Sequence, residues 1–426
     1  MKFKVTTKFI LAVYIIFNTS HGFALTLQEA VKHVLKTNPE ALAAENEYES
    51  RKYEVSQAKA GYLPTLDFDA GVGKETRRAA STGNEEIDLD RRELGLAASQ
   101  ILFDGFATKT EVERQRARLD SALHSYDVTK NELALDTSDA YLDVLRFGDL
   151  LSLAQASLWE HQNIYDQMKL RSDKGVGSKA DLDQISARLA LANSNMIVAQ
   201  NNFADTQVTF HRLTGMYPNL DSMVKPVIHS DLPKTRDEAI EVAVDNHPTL
   251  SSAGADVRAA HAQYKAAASG YWPVVTLEAE KRWDDNVGVA GEDEDLIVAL
   301  RLRYNLFGGG ADKARRKQTA YLMSESKDIR NNSRRQVVES MSLSWNSYDA
   351  LSKQQRYLEA HVKAAESTKA AYGKQFNIGR RTLLDLLNTE TEVIDSRRSL
   401  INAEYDRLYS AYRIFNAAGQ LAAILN

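Results

Sequence analysis

Two sets of charged residues stand at spacings that could do chemistry. Asp67 and Asp69, Glu278 and Glu280, and Arg301 and Arg303 are each two residues apart, so an extended chain turns both members of a pair to one side. Ser178-x-x-Asp181 and Thr382-x-x-Asp385 form the second set, with Lys179, Arg380 and Arg381 beside them. The first set suits the lining of a water-filled interior. The second is capping-box-like, in which a hydroxyl and a carboxylate satisfy free amides at a helix start. Catalysis finds little support. No HExxH, GxSxG or Walker-type phosphate loop occurs, and "GVGKE" at 71–75 lacks the first glycine and the terminal Ser or Thr. The nine histidines are scattered. With no cysteine in the chain, disulfides, thiolate metal sites, a cysteine nucleophile and a lipid-modified N-terminal cysteine are excluded. The chain does not read as an enzyme.

The elements that carry the first set are strands. In "LPTLDFDAGVG", Leu66, Phe68, Ala70 and Val72 alternate with Asp67, Asp69, Gly71 and Gly73, which predicts one oily and one wet face. The segments 65–73, 93–102, 274–280 and 295–305 share this rhythm. Their apolar sets include Leu94/Leu96/Ala98, Val275/Leu277/Ala279 and Leu296/Val298/Leu300/Leu302/Tyr304, and their other faces carry the charged pairs with Glu93 and Ser99. Apolar-out, polar-in alternation at this length marks an outer-membrane barrel strand; any one such strand also fits a soluble two-sheet surface, and the repetition together with the export signal described below favours the barrel. Four strands cannot close a barrel around a charged interior, and lipid tolerates no open edge. Several copies must pool their strands in a symmetric oligomer.

The rest of the chain is helical and duplicated. Lys2, Lys4 and Lys8 precede an apolar run from Phe9 to Phe17 that ends at Gly22-Phe23-Ala24. This reads as a signal peptide, residues 1–24, with cleavage expected after Ala24, the apolar run being too short for a membrane anchor. The net charge of −5 and the lack of a basic run argue against nucleic acid as a partner. All seven prolines fall in two clusters that leave equal proline-free stretches, 65–217 and 274–426. Thr26, Glu29, Pro39, Gly61, Tyr62 and Pro64 recur 209 positions later as Thr235, Glu238, Pro248, Gly270, Tyr271 and Pro273. Phe103, Gly105, Gly175, Asp181 and Gly215 recur 204 positions later as Phe307, Gly309, Gly379, Asp385 and Gly419. Two structural repeats, 25–234 and 235–426, follow.

Each repeat should open on a capping box, Thr26/Glu29 or Thr235/Glu238. One helix of about 35 residues to Gly61 or Gly270, two strands, a long helix (109–174 or 311–374), a glycine break and a last helix should follow, the long helix spanning roughly 95 Å. The economical packing lays each long helix beside two short ones stacked end to end. Leu387, Ile394, Ile401, Leu408 and Phe415 fall every seven residues, which implies a left-handed coiled coil. Glu390, Arg397 and Glu404 sit between the apolar stripes, as expected for a wet side.

In order and spacing these parts resemble the TolC family of outer-membrane export channels over residues 25–426. The resemblance is carried by "AGYLPTL" with "SGYWPVV", "ILFDGFA" with "NLFGGGA", and "GVGSKADL" with "IGRRTLLDLLNTETEVIDSRRSLINAEYDRL". It implies a mainly α chain in a homotrimer. Twelve barrel strands, four per chain, would sit in outer-membrane lipid, continued by an α-helical coiled-coil tunnel across the periplasm. No cofactor is implied. The glycine turns, with Gly175, Gly177, Ser178, Lys179, Gly379, Arg380 and Thr382, would form the tip that meets a periplasmic adaptor. Family members close that end with an arginine and aspartates, which carries over to Arg381, Asp385 and Asp181. Phe376 stands where the family has a tyrosine, and Asn388 where it has a second ring aspartate, so the ring is less acidic. Cap and gate roles can coexist at Asp181 and Asp385.

Two functions compete within the resemblance. One is type I protein secretion, exporting an adhesin or toxin with an inner-membrane ABC transporter. The other is small-molecule efflux with a proton-driven pump. The run 376–414 looks closest to type I members, and efflux members are often anchored through the N-terminal cysteine that is missing here. A periplasmic coiled-coil adaptor is the third reading, and it leaves the four strands unexplained.

Overall fold

The computed structural model describes residues 25–80, 83–228 and 232–426. The expected signal peptide, 1–24, lies outside the described residues. The chain opens with α1 (Leu27–Thr37), whose start is a reciprocal capping box. Thr26 accepts from the Glu29 amide at 3.2 Å, and Glu29 accepts from the Thr26 amide at 2.9 Å. The single first helix expected from the sequence is in fact two. α1 stops before Asn38, and α2 (Pro39–Ala60) starts with Pro39 at its first position. Proline pushes the residue before it out of the helical region, here to ψ 130° at Asn38. Asn38 then caps α2 and donates to the Leu213 carbonyl at 3.0 Å. The second repeat breaks in the same way between α5 (Arg236–Asn246) and α6 (Pro248–Ala266), with His247 as the cap. Its opening box is one-sided. Thr235 accepts from the Glu238 amide, but the Glu238 carboxylate takes the Lys234 amide instead.

Two helices of 67 residues, α3 (Ala107–Asp173) and α7 (Ala311–Asn377), form the spine. At 1.5 Å per residue each is about 100 Å long. The upper half of α3 meets α6 through Arg258–Asp120 at 3.1 Å and Ser252–Ser121 at 3.0 Å. Its lower half meets α4 (Lys179–Thr214) and α8 (Leu383–Ala417), the latter through Tyr405–Asp149 at 2.7 Å and Arg146–Asp406 at 3.0 Å. A long helix thus runs beside two shorter ones, as expected. The short α9 (Leu421–Leu425) closes the chain.

The core is in two main places. At the middle, Leu27, Val31, Tyr141, Phe210, Leu408, Phe415 and Leu421 form one buried cluster. The Tyr141 hydroxyl sits between the Leu25 and Val224 backbones, 2.6 Å from one carbonyl and 2.9 Å from the other. Near the far end, Ile164, Met168, Ile185, Phe376, Leu383 and Leu387 form another. The heptad residues Leu387, Leu408 and Phe415 are buried in these clusters. Glu390 departs from expectation, because it is 2% exposed rather than on a wet side. An ion pair to Lys369 at 2.6 Å compensates its charge.

The four strands make one antiparallel sheet in the order β1-β2-β3-β4. β1 (Thr65–Arg78), β2 (Glu86–Phe103) and β3 (Val274–Asp285) run past the expected ends, while β4 (Glu292–Arg303) stops before Tyr304. The outer half of β1 is charged on both sides, and in the outer half of β2 the apolar Ile87 and Leu89 fall on the face opposite to Leu94 and Leu96, so the apolar alternation of the inner halves does not continue outward. A register shift between Ile101 and Phe103 bends β2 where it leaves the sheet. β1 and β4 are the free edges.

Candidate channel lining and tip

The register sorts the strand residues onto two faces. Leu66 pairs with Ala98, Ala98 with Ala279 and Ala279 with Val298. Leu277 pairs with Leu300, and Val275 with Leu302. On the opposite face Asp67 pairs with Ala97, Ala97 with Glu280 and Glu280 with Ile297. Asp69, Gly95, Arg282 and Asp295 make the next rung. The expected lining residues Asp67, Asp69, Glu278, Glu280, Arg301 and Arg303 therefore share one face. Glu278 takes hydrogen bonds from Arg301 and, at 3.2 Å, from Thr276. The apolar face ends where Lys281 pairs with Glu294 at 2.8 Å over the Trp283 ring. The expected apolar set of β3, Val275/Leu277/Ala279, stops just short of Lys281, while the strand itself continues to Asp285.

A loop crosses the charged face at its outer end. Arg77 Nη1 donates to the Gly288 carbonyl at 2.6 Å, and the Gly288 amide donates to Glu75 Oε2 at 3.2 Å. Asn286 Nδ2 donates to the Asp90 carbonyl at 3.3 Å. Arg77 and Glu75 have the parity of Asp67 and Asp69, so the β3–β4 loop is strapped over the charged side. Gly288 has φ +72°, and a Cβ there would lie 2.3 Å from Arg77 Nη1. Only glycine fits. The sequence signal for this strap is Gly288 between two acidic runs.

At the other end, the α3–α4 and α7–α8 connections turn on glycines. Gly175 and Gly379 have φ of +73° and +75°. A Cβ on Gly177 would come within 2.9 Å of the Ser172 amide. Ser178 accepts from the Ala180 amide at 3.2 Å, so the expected partnership with Asp181 is replaced by a shorter cap. Thr382 and Asp385 do form the reciprocal box. Hydrogen bonds from Thr382 hold the Asp385 carboxyl below its ordinary value, and the Arg381 charge adds to this. Lys179 and Arg380 are exposed beside the turns, and Asn388 is exposed on α8.

The expected gate residues do not all meet. Arg381 Nε donates to Gln375 Oε1 at 3.0 Å, and its guanidinium lies 4.1 Å from the Tyr372 ring centre. Among the described residues of this single chain, Arg381 and Asp181 share no hydrogen bond or ion pair. Phe376 points into the core, with Arg171 over its ring at 5.2 Å. Sequence reasoning missed Tyr372 and Gln375, one turn apart on the arginine's side of α7. It also missed the lock above them. Lys369 on α7 reaches both Glu390 on α8 and Glu160 on α3, the latter at 3.1 Å. A cavity of about 530 Å³ lies there, lined by Glu160, Ile164, Lys369, Phe376, Glu390 and Arg397 among others.

Comparison with known proteins agrees with this geometry. Residues 30–216 and 239–420 match the family described as outer membrane efflux protein. Outer membrane protein TolC of Escherichia coli (strain K12) is 24% identical over 413 residues, which cover 93% of this chain and 83% of that one. The alkaline protease secretion protein AprF of Pseudomonas aeruginosa is 24% identical over 420 residues, 94% of this chain and 85% of its own. The solved outer membrane protein VceC of Vibrio cholerae superposes with a TM-score of 0.81 at 18% identity, covering 92% of this chain and 96% of that one. With the sheet, the paired long helices and the internal repeat in place, this chain belongs to the outer membrane efflux protein family, the TolC family of outer-membrane channels.

Proposed function

We propose that three copies of this chain form the outer-membrane tunnel of a type I secretion system. The tunnel would carry a polypeptide from an inner-membrane ABC transporter and its periplasmic adaptor to the outside. One observation carries the reading. A four-stranded sheet with one apolar face, one charged face and two free edges is incomplete in lipid until copies close it. Three such sheets give twelve strands around the charged face. The similarity to AprF, named for alkaline protease secretion, supports a polypeptide cargo.

In this reading Gly175, Gly177 and Gly379 shape the tip, and Ser178, Lys179, Arg380 and Thr382 meet the adaptor. Arg381, Asp385 and Asp181 narrow the periplasmic end in the assembled ring. Phe376 adds packing there instead of a hydroxyl bond, and Asn388 leaves the ring less acidic.

The test is export in cells that also supply the transporter and adaptor. Lys179→Glu and Arg380→Glu should each reduce export strongly while trimers remain intact, since both side chains are exposed beside the turns. Normal export by both variants would remove the tip from the adaptor contact. Small-molecule efflux is the second reading, favoured by the description of the family itself. Restoration of dye efflux with a proton-driven pump, and no polypeptide export with a transporter, would decide for it.

A further inference from the structure

The base of the sheet is ringed by exposed aromatic residues. Tyr62 precedes β1, Tyr271 and Trp272 precede β3, and Tyr304 and Phe307 follow β4. Phe103, at the end of β2, packs edge-on against Trp272 with ring centres 6.4 Å apart. Trp283 stands near the other end of β3, which begins at Val274. At about 3.3 Å per residue the strand advances roughly 30 Å between those two residues. A tilt of about 40° turns this into a height of roughly 23 Å, close to the apolar band of an outer-membrane barrel. The lower aromatics and Trp283 therefore mark the two edges of that band, where hydrocarbon gives way to headgroups.

The first turns of α7 lie at the lower edge. Gly270 adjoins Tyr271, and a Cβ on it would stand 2.5 Å from Asp312 Oδ1. Lys313, Arg315, Arg316 and Lys317 follow, all exposed. At 1.5 Å per residue they occupy roughly 8 Å of helix below that contact. The headgroup layer beneath the hydrocarbon is of the same depth, about 5–8 Å. Among the described residues none of the four has a carboxylate within ion-pair reach, and Arg316 lies 5.7 Å from the Tyr264 ring centre instead.

Local rules disfavour this arrangement. Positive charge opposes the helix dipole at an N-terminus, and Lys313 repels Arg316 and Lys317 one turn on. The repeat does not require it either. At the matching places on α3, 204 positions earlier, stand Lys109, Glu111, Val112 and Glu113, and Glu113 meets Lys265 at 3.8 Å. Four uncompensated cations at a lipid boundary call for an anion from outside the chain.

We propose that Lys313, Arg315, Arg316 and Lys317 form a collar that binds the phosphates of anionic phospholipids in the periplasm-facing leaflet. Lys313, Arg316 and Lys317 share one face of α7, and Arg315 stands on the opposite side. Tyr271, Trp272 and Phe307 flank the acyl chains above them. Basic clusters beside a membrane segment recognise anionic lipid in this way. The collar fixes the depth at which the helical part leaves the bilayer. It goes beyond the tunnel reading and requires only that the chain sit in the outer membrane.

Retained lipid is the test. Purified full-length protein in a mild detergent is incubated with equal amounts of phosphatidylglycerol and phosphatidylcholine and repurified, and its bound lipids are extracted and counted. The unaltered protein should keep phosphatidylglycerol several-fold over phosphatidylcholine. Lys313→Gln, Arg315→Gln, Arg316→Gln and Lys317→Gln together should bring the ratio close to one. Arg334→Gln with Arg335→Gln, about 30 Å farther along α7, should leave it unchanged. If the protein with four glutamines assembles poorly, a molar salt wash of the unaltered protein should lower the ratio in its place. Equal retention of the two lipids by the unaltered protein would overturn the collar, as would a preference that survives both the glutamines and the salt. Displacement of the lipid by added inorganic phosphate would make this a site for free phosphate and overturn the lipid reading. Loss of oligomers in the glutamine variant, with no lipid preference in the unaltered protein, would assign the patch to a neighbouring copy instead.

Discussion

Lys369 Nζ lies 2.6 Å from Oε2 of Glu390, a carboxylate with 2% of its surface exposed, and 3.1 Å from Oε1 of Glu160. The three residues belong to α7, α8 and α3, so one ammonium ties the second hairpin to the first. The contact to Glu390 is an ion pair off the hydrogen-bonding direction. Burial lowers the lysine's affinity for its proton, but the two glutamates outweigh it and the net shift is upward. The charge on Lys369 therefore persists at neutral pH.

Removing one partner of a buried pair costs about 3–5 kcal/mol, because the other charge is left uncompensated. Lys369 is itself partly exposed, so Lys369→Met should cost nearer the lower figure, about 3 kcal/mol, in urea unfolding followed by helical circular dichroism. Lys369→Met with Glu390→Leu should recover most of that loss, because no charge is then stranded. Additive losses in the double variant would show that the pair does not act as a unit.

The two sheet faces give a second contrast. Leu300 faces Leu277 on the apolar side, and Arg301 bonds Glu278 on the charged side. An arginine on the lipid face near the midplane costs about 2–4 kcal/mol. Loss of an exposed ion pair costs roughly 0–1 kcal/mol. Leu300→Arg should thus reduce the yield of heat-resistant trimers far more than Arg301→Leu. Equal yields would reverse the assignment of faces.

Asp139 supplies a pH dependence. Burial, with Asp143 adding like charge, pushes its carboxyl up to about 6. The folded state then holds the proton more tightly than the unfolded one, so this group adds stability as pH falls from about 6 toward 4 and subtracts it above. Asp139→Asn should stabilise the protein at pH 7.5 by about 1 kcal/mol, allowing for partial solvent screening. The advantage should vanish near pH 4. An advantage that persists at pH 4 would point to a cause other than ionisation.

Much of this architecture was legible because it is periodic. Alternation placed Leu300 and Arg301 on opposite faces with no knowledge of their neighbours. The glycines at 175 and 379 and the 204-residue offset located the long helices to within a few residues. The breaks at Asn38 and His247 were visible in Pro39 and Pro248, but the continuous helical pattern on both sides hid them. Glu390 was misread because a glutamate between apolar stripes looks wet until a lysine 21 residues earlier is brought beside it. The partners of Arg381 were unreadable for a related reason. Tyr372 and Gln375 carry no motif, and only the turn at Gly379 brings the arginine back against them.

The central claim is that copies of this chain close into a water-filled tunnel, and single-channel recording of the purified oligomer in a planar bilayer tests it most directly. The account predicts uniform unitary current steps, with larger steps from Arg381→Ser and Asp181→Ala if those residues narrow the assembled periplasmic end. Folded, crosslinkable trimers that insert and carry no current, with or without those substitutions, would contradict it.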